Sequence, residues 1–168
     1  MPKKQIYLTG FMGTGKSMIL NCLHEVCGFD KIEMDEQIVQ EQGMSIPEIF
    51  EKKGEEYFRN LETELVKKIS AMDNIVVSCG GGTVMRQCNV DEMKKNGTIV
   101  LLTAEPETVY ERVKGSHNRP LLEKNMNPEY IKELMEARRP KYEAAADFVI
   151  KTDNRTAEEI CLEINFRI

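Results

Sequence analysis

Apolar residues in this chain fall into short, β-branched-rich runs separated by longer stretches in which they recur every three or four positions. Runs at 6–9, 75–78, 98–103 and 148–151 predict strands, with a further short one at 31–34. The stretches between them predict helices at 16–27, 36–42, 47–53, 55–72, 89–95, 106–113, 128–146 and 157–164. In the helix over 55–72, Phe58, Leu61, Leu65 and Ile69 keep helical spacing. Pro106 stands at a favoured early helical position, and Pro140 is expected to interrupt or kink the helix over 128–146. Strand and helix alternate, which predicts a parallel sheet of about five strands with helices on both faces. Ligands of such sheets gather at the carboxyl ends of the strands. The loops after Thr9, Met34, Ser78, Thr103 and Lys151 should therefore ring one site.

The loop after the first strand carries the most specific chemistry. Gly10-Phe-Met-Gly-Thr-Gly-Lys-Ser17 matches GxxxxGK[ST] between a strand and a helix, the pattern of a phosphate-binding loop. Its glycines let successive N–H groups curl around an anion, and the helix terminus adds partial positive charge. Lys16 reaches toward the outer phosphates, and Ser17 offers a hydroxyl to Mg²⁺. The chain is thus expected to handle a nucleotide.

Composition narrows this modestly. A length of 168 residues suits one domain with a substantial core. The net charge of −5 argues against a nucleic-acid binder. No apolar run approaches the ~20 residues needed to span a bilayer, and the first strand begins without a signal-type apolar segment. The five cysteines are odd in number and lack paired metal spacing, so reduced thiols in a cytoplasmic protein are expected.

Other constellations gain meaning beside the loop. Glu33 and Asp35 flank Met34 at the end of the second predicted strand, where residues two apart share a face. One carboxylate could orient or deprotonate a hydroxyl, and the other could hold the water of a Mg²⁺ ion; a solvated strand end is the alternative. Arg59 lies among core-type aromatics on a helix. It could pair with a substrate carboxylate, or form a surface ion pair with Glu55, Glu56 or Glu62. Gly80, Gly81 and Gly82 end a buried strand and permit close backbone approach to a ligand, or serve only as a tight turn. Arg119, in a polar loop, could reach a γ-phosphate, though loop arginines are commonly solvated. Arg138 and Arg139 add a further basic point.

Taken in order, these motifs resemble the shikimate kinase family across essentially the whole chain. The segments that carry the likeness are the phosphate loop, Met34-Asp35, Gly43-Met-Ser-Ile-Pro-Glu-Ile-Phe50, Gly54-Glu-Glu-Tyr-Phe-Arg59, Gly80-Gly-Gly82, Arg119-Pro-Leu-Leu122, and Arg138 ahead of Pro140 and Tyr142. The resemblance implies a three-layer α/β/α P-loop NTPase fold, like that of nucleoside monophosphate kinases, with a mobile lid at about 114–125 and a substrate-binding helical region at about 35–62. It implies ATP-dependent phosphorylation of the 3-hydroxyl of shikimate by a cytoplasmic monomer that uses Mg²⁺.

By the same resemblance, Asp35 would be the catalytic carboxylate and bind the shikimate hydroxyls, Lys16 and Arg119 would act on the phosphates, and Arg59 and Arg138 would hold the shikimate carboxylate. Gly80, Gly81 and Gly82 would meet the ring hydroxyls. Gly13, Thr14, Gly15, Lys16, Ser17 and Met18 would cradle ATP, with Arg112 and Arg155 flanking adenine. Ser17 and Glu33 would serve the metal. Two departures stand out: Glu33 replaces the first aspartate of the family's Asp-x-Asp, and Arg139 competes with Arg138 for the anchor position. A gluconate- or nucleotide-phosphorylating relative, and a nucleotide-binding module without turnover, are the competing readings.

Overall fold

The computed structural model describes residues 4–114 and 127–168. Five strands, β1 (Gln5–Thr9), β2 (Asp30–Glu33), β3 (Ile75–Ser78), β4 (Gly97–Thr103) and β5 (Phe148–Lys151), form one sheet in the order β2-β3-β1-β4-β5. Every pairing is parallel. The helices are α1 (Lys16–Cys27), α2 (Met34–Gln42), α3 (Ile46–Lys53), α4 (Glu55–Ile69), α5 (Gln87–Lys94), α6 (Pro106–Val113), α7 (Pro128–Ala145) and α8 (Ala157–Arg167). The sheet is the middle of three layers, as the alternating pattern predicts.

Strand periodicity divides the core. Ile6 and Leu8 of β1, Val76 of β3 and Val100 and Leu102 of β4 pack with Ile19, Leu20 and Leu23 of α1 and Ile160 and Ile164 of α8. On the other face Tyr7, Val77, Ile99 and Leu101 meet residues from α2 through α7. The central strands are buried on both faces, so their sequences read as continuous apolar runs. The edge strands do not follow that rule. Asp30 and Lys31 of β2 are exposed, as are Val149 and Lys151 of β5, and charge at a sheet edge discourages pairing with another chain.

Three boundaries differ from the sequence expectation in ways that matter. Strand β2 stops at Glu33, so Asp35 lies in the first turn of α2 rather than on the strand. Helix α4 ends at Ile69, three residues short of expectation. Gln5 is responsible, because its buried amide donates to the carbonyls of Ser70 (3.0 Å) and Met72 (2.7 Å) as the chain leaves the helix. Pro140 does not interrupt α7, which runs from Pro128 to Ala145 as one helix. Its loss of one backbone donor is offset by an Asn127 cap on the Tyr130 N–H (2.8 Å) and by burial of Ile131, Tyr142 and Ala145. The segment expected as a lid lies, apart from Lys114, outside the described residues, and so does Arg119.

The Gln5 clamp also receives the Tyr7 hydroxyl at its Oε1 (2.8 Å), and burial pushes the Tyr7 phenol far above its ordinary pKa. Gln5→Ala would leave that hydroxyl and the carbonyls at the α4 terminus unsatisfied. The expected cost is about 2 kcal/mol in urea unfolding, and a loss under about 0.5 kcal/mol would show that the clamp is dispensable.

Candidate active site

Adjacent positions in the sheet bring two loops side by side. β1 pairs directly with β3, with Leu8 opposite Ser78, so the phosphate loop after β1 and the glycine turn after β3 leave the same edge together. A cleft of about 760 Å³ opens above them, bounded among others by Lys16, Ser17, Glu33, Asp35, Gly81 and Arg112.

The phosphate loop is shaped by backbone that only glycine adopts readily. At Gly10, φ is +141° and a Cβ would stand 2.4 Å from the Leu102 carbonyl oxygen of β4. Gly15 then precedes α1 with no side-chain cap on the helix. The first N–H groups of α1 are thus left facing the cleft, where an anion can satisfy them. Lys16 Nζ donates to the carbonyls of Gly10 (2.7 Å) and Phe11 (3.1 Å), holding its charge over the loop. Thr152, a buried residue absent from the sequence-based candidates, braces the loop from just past the end of β5. Its hydroxyl lies 2.8 Å from the Thr14 carbonyl and 3.1 Å from that of Thr103, and Arg112 donates to it (3.3 Å) and to the Gly13 carbonyl (3.0 Å). Arg112 therefore stands at the loop. Arg155 is instead drawn along α8 by Glu163 (2.9 Å). Met18 is exposed at the cleft margin.

At the end of the loop, Ser17 Oγ donates to Glu33 Oε1 at 2.5 Å. These are hard oxygen donors side by side. Mg²⁺ favours such donors and commonly takes only one or two from protein, with water and phosphate oxygens completing its octahedron. The pair fits that ion. The added methylene of Glu33 does not keep its carboxylate from Ser17.

The second half of the site is assembled on the glycine turn, from helices far apart in sequence. A Cβ on Gly80 would lie 2.6 Å from Glu62 Oε2 and 3.1 Å from Asp35 Oδ1; on Gly81, 3.1 Å from Arg138 Nη1; on Gly82, 2.5 Å from Arg59 Nη1. Asp35 from α2, Arg59 and Glu62 from α4, and Arg138 from α7 thus all close on three residues without side chains. The two carboxylates predicted on one strand face do both reach the cleft, but because β2 hands over to α2 between them. Arg138, whose guanidinium also lies over the Phe11 ring at 5.8 Å, faces this turn. Arg139 lines a separate recess with residues 103–106.

Of the two readings of Arg59, the structure bears on the ion pair. Arg59 forms an ion pair, but the partner is Glu62, whose side chain is 1% exposed against 15% for Arg59. Glu62 Oε1 accepts from Arg59 Nη1 (2.8 Å) and Oε2 from the Thr83 hydroxyl (2.8 Å). Burial pushes the Glu62 pKa up, against the pull of Arg59 and Thr83. Burial would lower the Arg59 pKa, yet Glu62, helped by Glu55, leaves it raised, so the guanidinium stays cationic. Glu62 escaped the candidate set although a signal existed. It falls four residues after Phe58 and three before Leu65, on the buried face of α4, where an acid needs a partner.

Among the described residues, no helix is long and apolar enough to cross a membrane.

Fold and phosphate loop together define a P-loop kinase. Comparison with known proteins specifies which. The family model described as shikimate kinase matches residues 12–168. A shikimate kinase of Persephonella marina is 44% identical over 165 residues, covering 98% of this chain and 99% of that protein. Among solved structures, shikimate kinase from Acinetobacter baumannii in complex with shikimate superposes with a TM-score of 0.92 at 32% identity, covering 98% of this chain and 91% of the other. A gluconokinase from Sinorhizobium meliloti shares the fold alone, at 18% identity and a TM-score of 0.60, covering 96% of this chain and 89% of the other. The chain belongs to the shikimate kinase family.

Replacing Glu62 by Ala would strand the Arg59 guanidinium and the Thr83 hydroxyl against the glycine turn. Denaturant unfolding is expected to show a loss of about 1–3 kcal/mol. A change within about 0.5 kcal/mol would mark the pair as an ordinary surface contact.

Proposed function

We propose that this chain transfers the γ-phosphoryl group of ATP to the 3-hydroxyl of shikimate, giving shikimate 3-phosphate on the route to chorismate and the aromatic amino acids. Beside family membership, one observation carries the assignment. A carboxylate (Asp35) and two guanidiniums (Arg59, Arg138) converge on a side-chain-free turn one strand away from the phosphate loop. That is a receptor for a compact molecule bearing a carboxylate and hydroxyls.

The acceptor half works by position. Arg59 and Arg138 hold the shikimate carboxylate through charge-assisted hydrogen bonds, while the backbone of residues 80–82 meets the ring hydroxyls. The 3-hydroxyl is then aimed toward the γ-phosphorus, with Asp35 orienting it and accepting its proton. The donor half is backbone N–H groups of residues 13–17 and the Lys16 ammonium, which exchanges its loop carbonyls for phosphate oxygens. Ser17 and Glu33 would hold Mg²⁺, the glutamate directly or through water, and the ion supplies neutralisation of phosphate charge when bound. Met18, Arg112 and Arg155 are assigned to the nucleotide, and Arg119 to closure over the phosphates. Phosphoryl transfer needs little covalent chemistry from protein, so alignment and fixed charge supply most of the rate.

Coupled ADP release with shikimate, gluconate or no acceptor tests the proposal. Turnover with shikimate alone is expected, and equal rates with gluconate or without acceptor would overturn it. Asp35→Asn is expected to lower kcat by about 10²–10⁴-fold with ATP affinity retained; unchanged turnover would remove Asp35 from the chemistry. Arg59→Ala and Arg138→Ala should each raise shikimate KM by about 10–100-fold and barely alter ATP KM. Chelation should abolish turnover, and Glu33→Gln should raise the Mg²⁺ concentration for half-maximal rate by about tenfold; an unshifted requirement would detach Glu33 from the metal.

A further inference from the structure

Tyr142 occupies a place that the mechanism above leaves unexplained. It sits on α7 four residues after Arg138, hence on the same helix face, and only 5% of it is exposed. Its hydroxyl donates to the carbonyl oxygen of Gly81. The Arg138 guanidinium lies beside the phenol, where it partly opposes the burial that raises the Tyr142 pKa. A Cβ on Gly81 would stand 3.1 Å from Arg138 Nη1 and 3.8 Å from the Tyr142 hydroxyl, so the three groups meet at one point. The preceding residue on the helix, Lys141, donates to the Met85 carbonyl (2.8 Å) just beyond the same turn.

A phenol has one proton to give and lone pairs to receive with. Here the proton goes to the Gly81 carbonyl, which leaves the lone pairs of the phenol oxygen beside the Arg138 guanidinium. That neighbour limits which way the guanidinium fork can point. The hydroxyl's own bond fixes the peptide plane between Gly81 and Gly82. Because that bond is trans and planar, turning its carbonyl toward α7 turns the Gly82 N–H the opposite way. A fork of five donors binds a carboxylate well only when its plane is preset, and a three-glycine turn has little stiffness of its own.

From this we infer that Tyr142 is a positioning residue for acceptor recognition, a strut that presets Arg138 and the Gly81 peptide together. It touches neither substrate nor reacting atoms. The inference rests on Arg138 and the glycine turn forming the acceptor site, and it goes beyond that reading by assigning their alignment to one hydroxyl group.

Tyr142→Phe removes that hydroxyl and leaves the ring in its packing. Steady-state kinetics of the full-length variant should show shikimate KM raised by about tenfold, the effect of one lost hydrogen bond in a charged network. ATP KM should be unchanged and kcat should stay within about threefold, because the phosphate half is untouched. Combining Tyr142→Phe with Arg138→Ala should add little beyond Arg138→Ala alone, since the strut acts through the residue removed. A shikimate KM within twofold of the parent's overturns the inference. So does an equal rise in both KM values, or a fall in melting temperature with KM unmoved, the mark of a packing role. If Arg138→Ala alone leaves shikimate KM unchanged, the site reading itself fails and the strut with it. If Arg138→Ala raises it and Tyr142→Phe does not, only the strut fails.

Discussion

Three consecutive residues without side chains, after the strand next to the phosphate loop, are the constraint on which the proposed acceptor site depends. Asp35, Arg59, Glu62 and Arg138 arrive from α2, α4 and α7, and each stands where a Cβ on the turn would crowd it. Their convergence is an exclusion problem before it is an electrostatic one. A methyl group at Gly82 would enter the volume held by the Arg59 guanidinium, and one at Gly80 would press on Glu62. Once the volume is free, charge organises it: Glu62 is buried and holds Arg59, while Thr83 satisfies the second carboxylate oxygen.

The sheet order explains why this turn is beside the phosphate loop at all. β3 inserts between β2 and β1, although β1 connects through α1 to β2. The loops following β1, β2 and β3 therefore emerge at one edge, carrying Lys16 and Ser17, then Glu33 and Asp35, then the glycines. Parallel pairing fixes their heights relative to one another. The donor and acceptor halves share one rigid reference frame, and phosphoryl transfer relies on such alignment.

How much of this the sequence declared depended on whether the cause was local. The phosphate loop was legible because its spacing encodes its conformation, and the central strands because burial on both faces leaves no polar positions. The end of β2 was harder. Ile32-Glu-Met-Asp35 alternates like a strand, but it is also a helix start, with Asp35 and Glu36 placed in a first turn where acids are favoured. The end of α4 depended on Gln5, some 65 positions away in sequence. Pro140 does not break α7, because its local cost is outweighed by what the helix buries and donates. Thr152 is hidden in the sequence because its partners come from other elements, and only the assembled fold supplies them. Glu62 is different, since Arg59 on the same helix and the buried face of α4 already pointed to it.

The two halves of the site are written in different materials. In the proposed function phosphate is held largely by main chain, by N–H groups at the start of α1 and a loop whose path Gly10 fixes against β4. On the proposed reading the acceptor is held largely by side chains on α2, α4 and α7, leaning on a bare turn. A point mutation exchanges a side chain but, proline aside, leaves the backbone N–H in place. Drift in such a protein is therefore channelled toward what it phosphorylates rather than whether it phosphorylates, and a change of acceptor can leave the nucleotide half intact.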